Sequence, residues 1–207
     1  SRRDAQGWRT FRKGDGLASE QIFCLLEVGK GPARQIWAGT ENGISLFEQG
    51  VWRPLAAAEK LAGAHVQTLA VTEGPTKVWI GTQNRGLWCW DGTLHPPEDH
   101  GLQESNIRSL WGGQDRQGGP LLAVASALGL SIWEGGQWRR IWREQGFPTS
   151  PARSVLHMAL PPSRRLFWIG TEGRGLLRYT DSSWRRFPLP PAFQDHRVQA
   201  VLPRAQP

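Results

Sequence analysis

Four kinds of short run, each with its own fixed pattern of apolar and polar positions, recur along this chain in one order. One kind of run is led by a β-branched residue and is apolar at its first and fourth positions. Its copies are Ile22-Phe23-Cys24-Leu25, Val66-Gln67-Thr68-Leu69, Ile107-Arg108-Ser109-Leu110, Val155-Leu156-His157-Met158 and Val198-Gln199-Ala200-Val201. β-branched leaders suit a pleated, buried surface, so this run predicts an inner strand. A second run reads Trp37-Ala38-Gly39-Thr40, Trp79-Ile80-Gly81-Thr82 and Trp168-Ile169-Gly170-Thr171, with a degenerate copy in Ala123-Val124-Ala125-Ser126. A third goes from glycine to an aromatic: Gly43 to Phe47, Gly86 to Trp90, Gly129 to Trp133 and Gly175 to Tyr179. The fourth opens at Trp8, Trp52, Trp138 and Trp184, with Leu94 in the degenerate place.

The connections carry turn chemistry. Glu41-Asn42-Gly43, Gln83-Asn84-Arg85-Gly86, Ala127-Leu128-Gly129 and Glu172-Gly173-Arg174-Gly175 join the second run to the third, where glycine adopts positive φ without a Cβ penalty. Glu48-Gln49-Gly50, Asp91-Gly92-Thr93, Glu134-Gly135-Gly136 and Asp181-Ser182-Ser183 join the third to the fourth, and Asp-Gly is a strong hairpin signal. The Thr or Ser closing the second run recurs at 40, 82, 126 and 171, spacings of 42, 44 and 45 residues, within the range of four-stranded propeller blades. Each period therefore predicts an antiparallel meander, apolar on both faces, that must pack between copies of itself. Radial stacking of such sheets makes an all-β propeller.

The count gives four complete four-stranded antiparallel blades, an orphan outer strand at Trp8 and an orphan inner strand at Val198–Leu202. The reading is a single domain over 1–207, with repeats at approximately 8–51, 52–93, 94–137 and 138–183 and a partial one at 184–207. The chain is then part of a larger propeller whose further blades complete the ring, or else a complete small ring or an assembly of several copies satisfies the open ends. Helix is expected only over Leu55–Ala64, broken by Gly63.

Composition sharpens this picture. Twelve Trp against one Tyr and one Met, with 25 Gly and 15 Pro, suit many short strands and tight turns. No apolar run reaches the roughly 18 residues of a membrane span, and mean hydropathy is −0.46. Residues 1–8 carry charge without a following apolar stretch, unlike a signal peptide. Cys24 and Cys89 have no metal-site spacing. The formal charge of +7 is spread over loops, with clusters only at Arg139, Arg140 and Arg143, at Arg164–Arg165 and at Arg185–Arg186. That scatter argues against nucleic acid as the partner.

Nine of the twelve Trp fall in repeated columns and read as packing, and Gly39, Thr40, Gly81, Thr82, Gly170 and Thr171 read as blade residues with them. Trp88, Trp111 and Trp142 stand where sister repeats have other residue types; Trp88 aligns with Ser45, Ser131 and Leu177. An aromatic among guanidinium groups can stack on a sugar or planar ligand, or bind an anion. Trp88, Arg108, Trp111, Arg139, Trp142 and Arg143 are accordingly the expected ligand-facing set, for a small-molecule, carbohydrate or protein ligand. His157 is assigned to the small-residue column of Cys24, Thr68, Ser109 and Ala200, as a core histidine. Asp91, Asp181, Glu48 and Glu134 are turn residues rather than an acid–base pair. No metal, cofactor or catalytic set is expected: there is no HxH or HExxH spacing, no Gly-x-Ser-x-Gly elbow and no phosphate loop at Gly29-Lys30-Gly31.

The Trp-Ile-Gly-Thr strand, the glycine-to-aromatic strand after it and a Gly-Leu ahead of each inner strand occur together. The last appears as Gly14-Asp15-Gly16-Leu17, Gly101-Leu102 and Gly146-Phe147, and is blurred at Leu61–Gly63 and Ala192–Phe193. Over nearly the whole chain this order resembles the two-component regulator propeller family, found in sensor regions of bacterial histidine kinases and related signalling proteins. The third repeat departs from it, with Ala123 in place of Trp. The resemblance implies a non-catalytic sensor outside the cytoplasm, in the periplasm, that passes its signal to a separate output domain. It implies no ligand, because the shared residues build the blade. A carbohydrate- or protein-binding propeller without signalling output, and a propeller lyase or hydrolase, remain the alternatives.

Overall fold

The computed structural model describes residues 1–201 except 6, 56–57, 75, 98–100, 103, 116, 143–146, 148–149, 161–163, 181–182, 188–189 and 191–196. Strands β1 (Arg2–Asp4) and β2 (Gly7–Arg9) form a hairpin of their own. Four antiparallel sheets follow in chain order. The first is β3 (Ile22–Val28), β4 (Gln35–Thr40), β5 (Gly43–Glu48) and β6 (Val51–Pro54). The second is β7 (Val66–Thr72), β8 (Lys77–Thr82), β9 (Leu87–Trp90) and β10 (Leu94–His95). The third is β11 (Ile107–Gln114), β12 (Pro120–Ser126), β13 (Gly129–Glu134) and β14 (Gln137–Trp142). The fourth is β15 (Ala152–Leu160), β16 (Arg164–Thr171), β17 (Leu176–Thr180) and β18 (Ser183–Phe187). Every sheet is a meander in sequence order. Among the described residues of the helix-leaning stretch, Ala58–Leu61 forms a short 3-10 turn.

The four sheets are blade-like, and their first strands pack in succession: β3 against β7, β7 against β11, β11 against β15. Three apolar clusters fill the three junctions between consecutive sheets. Each residue of the Trp-x-Gly-Thr run has a distinct job there. The threonine closes the corner: Thr40, Thr82 and Thr171 donate to the carbonyls of Gly43, Gly86 and Gly175 at 2.8–2.9 Å while accepting a backbone N–H from the turn. The glycine lets the next sheet approach. A Cβ on Gly39 would lie 2.8 Å from Val66 Cγ1, on Gly81 2.7 Å from Ile107 Cγ2, and on Gly170 2.8 Å from Val198 Cγ1. The tryptophan reaches across the junction: Trp37 meets Trp90 with ring centroids 6.3 Å apart, and Trp79 meets Trp133 at 5.6 Å.

The third sheet breaks both rules and mends both. Ala125 stands in the glycine column, and the residue heading the next inner strand is Ala152 rather than Val or Ile. A methyl gained on one side is matched by methyls lost on the other. Ala123 stands in the tryptophan column, and its cross-strand partner on β11 is Trp111, which packs into the cluster between the third and fourth sheets. The indole has moved one strand inward on the same face.

That alignment corrects the fourth repeat. Ala152 pairs with Thr171 as Ile22, Val66 and Ile107 pair with Thr40, Thr82 and Ser126, so the inner strand starts at Ala152 and not at Val155. Phe147 then lies five residues ahead of it, as Leu17, Leu61 and Leu102 lie ahead of theirs, and all four are buried. His157 leaves the small-residue column and aligns instead with Glu27, Val71 and Gly112. It packs against Trp111 at 4.7 Å and Phe167 at 4.8 Å.

The two ends differ from the middle. Leu25 is 65% exposed, whereas its counterparts Leu69, Leu110 and Val155 are 5–9% exposed. Ile22 and Phe23 are exposed beside it. Trp8, expected to pack as an outer-strand residue, is 72% exposed on the separate hairpin. At the far end, residues 197–201 return to the fourth sheet: Val198 donates to the Thr171 carbonyl at 3.0 Å and covers Gly170, as Val66 covers Gly39. Among the described residues this segment forms a bridge between Glu172 and Arg197 rather than a strand; Leu202, Asp181, Ser182, Gly146, Ala192 and Phe193 lie outside them.

Candidate functional site

The inner strands share an irregularity that places the site. In every sheet the pairing of the first two strands skips one residue: between Ile22 and Cys24, Val66 and Thr68, Ile107 and Ser109, Ala152 and Ser154. A bulge leaves its extra residue unpaired and re-aims the side chain. The skipped residues are Phe23, Gln67, Arg108 and Arg153, and all four line one pocket of about 450 Å³ together with Gln83, Asn106 and Gln199. Gln199 is the same position in the fifth, partial copy. The pocket therefore lies where the inner strands converge, and the bulge directs one residue per repeat into it.

The flanking columns are nearly uniform: Ile, Val, Ile, Ala and Val before the bulged position, and Cys, Thr, Ser, Ser and Ala after it. Between them the residues are Phe, Gln, Arg, Arg and Gln. The flanks answer to packing and the middle residue does not.

Two repeats are joined across this pocket by a carboxylate. Glu172 accepts from Arg108 Nη1 through Oε2 and from Arg153 Nη2 through Oε1, both at 2.7 Å. The Arg153 and Arg108 hydrogen bonds hold the Glu172 carboxyl down to about 2, so it stays ionised across the physiological range. Arg153 Nε is buried without a hydrogen-bond partner among the described residues. The lining thus offers guanidinium and amide donors beside amide acceptors, with Phe23 as an apolar wall at the exposed end. That surface can bind and orient a polar solute.

Among the expected ligand-facing residues, the structure puts Arg108 in this pocket. Trp111 lies along the same strand in the junction with the fourth sheet. Trp88 packs at the junction of the first two sheets and donates to the Arg85 carbonyl at 2.9 Å. Trp142, at the end of the third sheet's outer strand, donates to Ser131 Oγ at 3.2 Å, with Arg140 stacked over it at 5.5 Å. Arg139 sits over Tyr179 at 5.6 Å. Arg143 lies outside the described residues. Of the described residues in this set, Arg108 lines the pocket, whereas Trp88, Trp111, Arg139 and Trp142 are not among its lining residues.

Gln67, Arg153, Glu172 and Gln199 were not singled out from sequence. The signal was there: a position that repeats in place and varies in kind. In the fourth repeat the β-branched leader Val155 points to Leu156 as the equivalent residue, three positions past Arg153.

One further ionisable group is buried. Glu104 is 5% exposed, accepts from Ser131 Oγ at 3.0 Å, and its Oε2 has no partner among the described residues. Burial pushes its carboxyl up to about 7 against the pull of Ser131, Trp142 and the Arg140 charge. Cys24 and Cys89 are free thiols raised by burial to about 12 and about 11, which makes them poor nucleophiles. Among the described residues no three His, Cys, Asp or Glu side chains converge into a metal set.

No family model and no curated protein matches the sequence. Solved structures do match. The extracellular domain of the putative hybrid two component system BT4673 from B. thetaiotaomicron aligns at a TM-score of 0.58 with 21% identity. A second structure, described as the extracellular domain of the putative one component system BT4673 from the same organism, aligns at 0.58 with 20% identity. Each alignment covers 80% of this chain and 22% of the other, so the chain spans about a fifth of its neighbours' length. At this identity the likeness is one of fold.

Proposed function

We propose that the chain is a non-catalytic, ligand-sensing β-propeller region of a bacterial signal-transduction protein, working outside the cytoplasm, and that the axial pocket is where it meets its ligand. The observation that carries the reading is the bulge. Four repeats spend their one unpaired inner-strand residue on the same pocket, between two neighbours that are held to small or β-branched packing residues. The fold likeness to extracellular domains of putative two component and one component systems supports the signalling context and the extracytoplasmic placement. The rigid Trp–Gly junctions support a role as scaffold, with recognition left to positions that the scaffold does not need. The ligand in this reading is a small polar solute.

The test is a thermal-shift screen of the protein against a library of small polar solutes, repeated with Gln67→Ala, Arg108→Ala and Arg153→Ala. A stabilising solute whose effect all three variants weaken is the expected result. Stabilisation that survives all three, or that is lost only with Trp88→Ala or Trp142→Ala, moves the site elsewhere. Catalytic turnover of any hit would overturn the non-catalytic reading.

A further inference from the structure

Resting on the axial-site reading, we infer that the ligand is an anion presenting a planar carboxylate, held by Arg108 and Arg153. The two arginines come from consecutive inner strands at the equivalent bulged position, so the repeat itself sets their spacing. Glu172 shows what that spacing accepts: a single carboxylate takes one guanidinium nitrogen on each oxygen, both at 2.7 Å. A guanidinium presents five donors in a planar fork matched to carboxylate geometry. Each arginine engages Glu172 through one terminal nitrogen, and both side chains keep surface in the pocket, 21% exposed for Arg108 and 34% for Arg153. Two fixed positive charges against one leave this cluster with an excess cation, and an excess cation facing a pocket attracts anions.

The amides then determine more than charge. Gln67 and Gln199 flank the arginine pair along the same column, and Asn106 precedes Arg108 in chain. Their donors and acceptors suit a carboxylate carried on a hydroxylated or amide-bearing body rather than a bare mineral anion.

Glu172 is the internal competitor in this arrangement, and that yields a test in which a mutation improves binding. Sodium malonate, sodium sulfate and glycerol are titrated into the ¹⁵N-labelled protein at constant ionic strength, with the backbone amides of Gln67, Arg108 and Arg153 followed by NMR. Malonate is expected to shift these amides more strongly than sulfate. Glu172→Gln, which removes the competing charge and keeps the shape, should tighten malonate binding roughly tenfold, and Arg153→Gln should weaken it by roughly the same factor. Sulfate binding as tightly as malonate, or Glu172→Gln leaving malonate affinity unchanged, overturns the carboxylate assignment. Glycerol alone moving the axial amides overturns it while leaving the axial site standing. A library hit that binds the protein without moving these amides removes both.

Discussion

Ile107 and Arg108 are neighbours in one strand, yet the fold treats them in opposite ways. Ile107 is fully buried, presses on Gly81 of the preceding sheet and has near-equivalents at Val66 and Val198. Arg108 is skipped by the strand pairing, faces the pocket between the inner strands and has Phe23, Gln67, Arg153 and Gln199 as counterparts. The contrast between junction and mouth recurs at Val66–Gln67 and Val198–Gln199, and fails only at the open first sheet, where Ile22 is exposed like Phe23. It teaches that a bulge can separate two demands within one residue's distance: neighbours that must fit, and a position free to vary.

The sharpest way to break the junction side is to remove an indole. Trp79→Ala should cost about 3–5 kcal/mol, because its ring is 2% exposed and wedged against Trp133. Trp168→Ala should cost less, since this ring is only half-buried and packs on Phe187 of its own sheet. Urea unfolding of the two variants measures the difference, and equal losses would mean that the indole column does not act across junctions.

A subtler change tests the glycine. In Gly81→Ala the new Cβ would stand 2.5 Å from Thr68 Cγ2 and 2.7 Å from Ile107 Cγ2, so overpacking of about 1–3 kcal/mol is expected. Adding Ile107→Ala copies the Ala125–Ala152 junction and should return part of that loss. A double-mutant cycle with a coupling above about 0.5 kcal/mol would establish the exchange; strict additivity would refute it.

How much of this was legible in the sequence follows from the same contrast. Residues under strong packing constraint announce themselves, because the constraint repeats: the Trp, Gly and Thr columns and the glycine turns located all four sheets. Compensated departures were harder to read. Trp111 stood out as surplus because its reason, the missing indole at Ala123, lies on the paired strand and not in the repeat. The start of the fourth inner strand was misplaced for a related reason, since Ala152 had given up the β-branched signature to make room for Ala125. The pocket was nearly invisible because its residues share a position but no chemistry. Glu172 could not be paired with Arg108 and Arg153 before the strands were in register, as 64 residues separate it from one and 19 from the other.

Two smaller effects sharpen the comparison through pH. Glu104, buried beside the second junction, has its carboxyl raised to about 7, so the folded state holds this proton more tightly than the unfolded chain does. Stability should therefore fall as pH rises from the ordinary carboxylate range through about 7 and then level off, by on the order of 3 kcal/mol in all. Glu104→Gln should flatten that slope in thermal melts taken from pH 4 to 8, and an unchanged slope would place its origin elsewhere. Glu172 has the opposite sign: its carboxyl is lowered to about 2, so its contribution is full above the ordinary carboxylate range and disappears only as pH falls toward 2. The arginine clip at the mouth is thus constant over the range in which Glu104 titrates.

The smallest effect on folding belongs to the mouth itself. Arg108→Ala leaves the strand pairing intact, because this residue takes no part in it, and exposed or half-exposed ion pairs contribute roughly 0–1 kcal/mol. The most direct measurement is to set Ile107→Ala and Arg108→Ala side by side, reading unfolding free energy and malonate binding for each. Ile107→Ala should lose about 2–5 kcal/mol of stability and, while folded, keep its malonate affinity. Arg108→Ala should stay within about 1 kcal/mol of the parent and bind malonate far more weakly. Adjacent residues that lose stability and affinity in parallel would contradict the separation of scaffold from recognition on which this account stands.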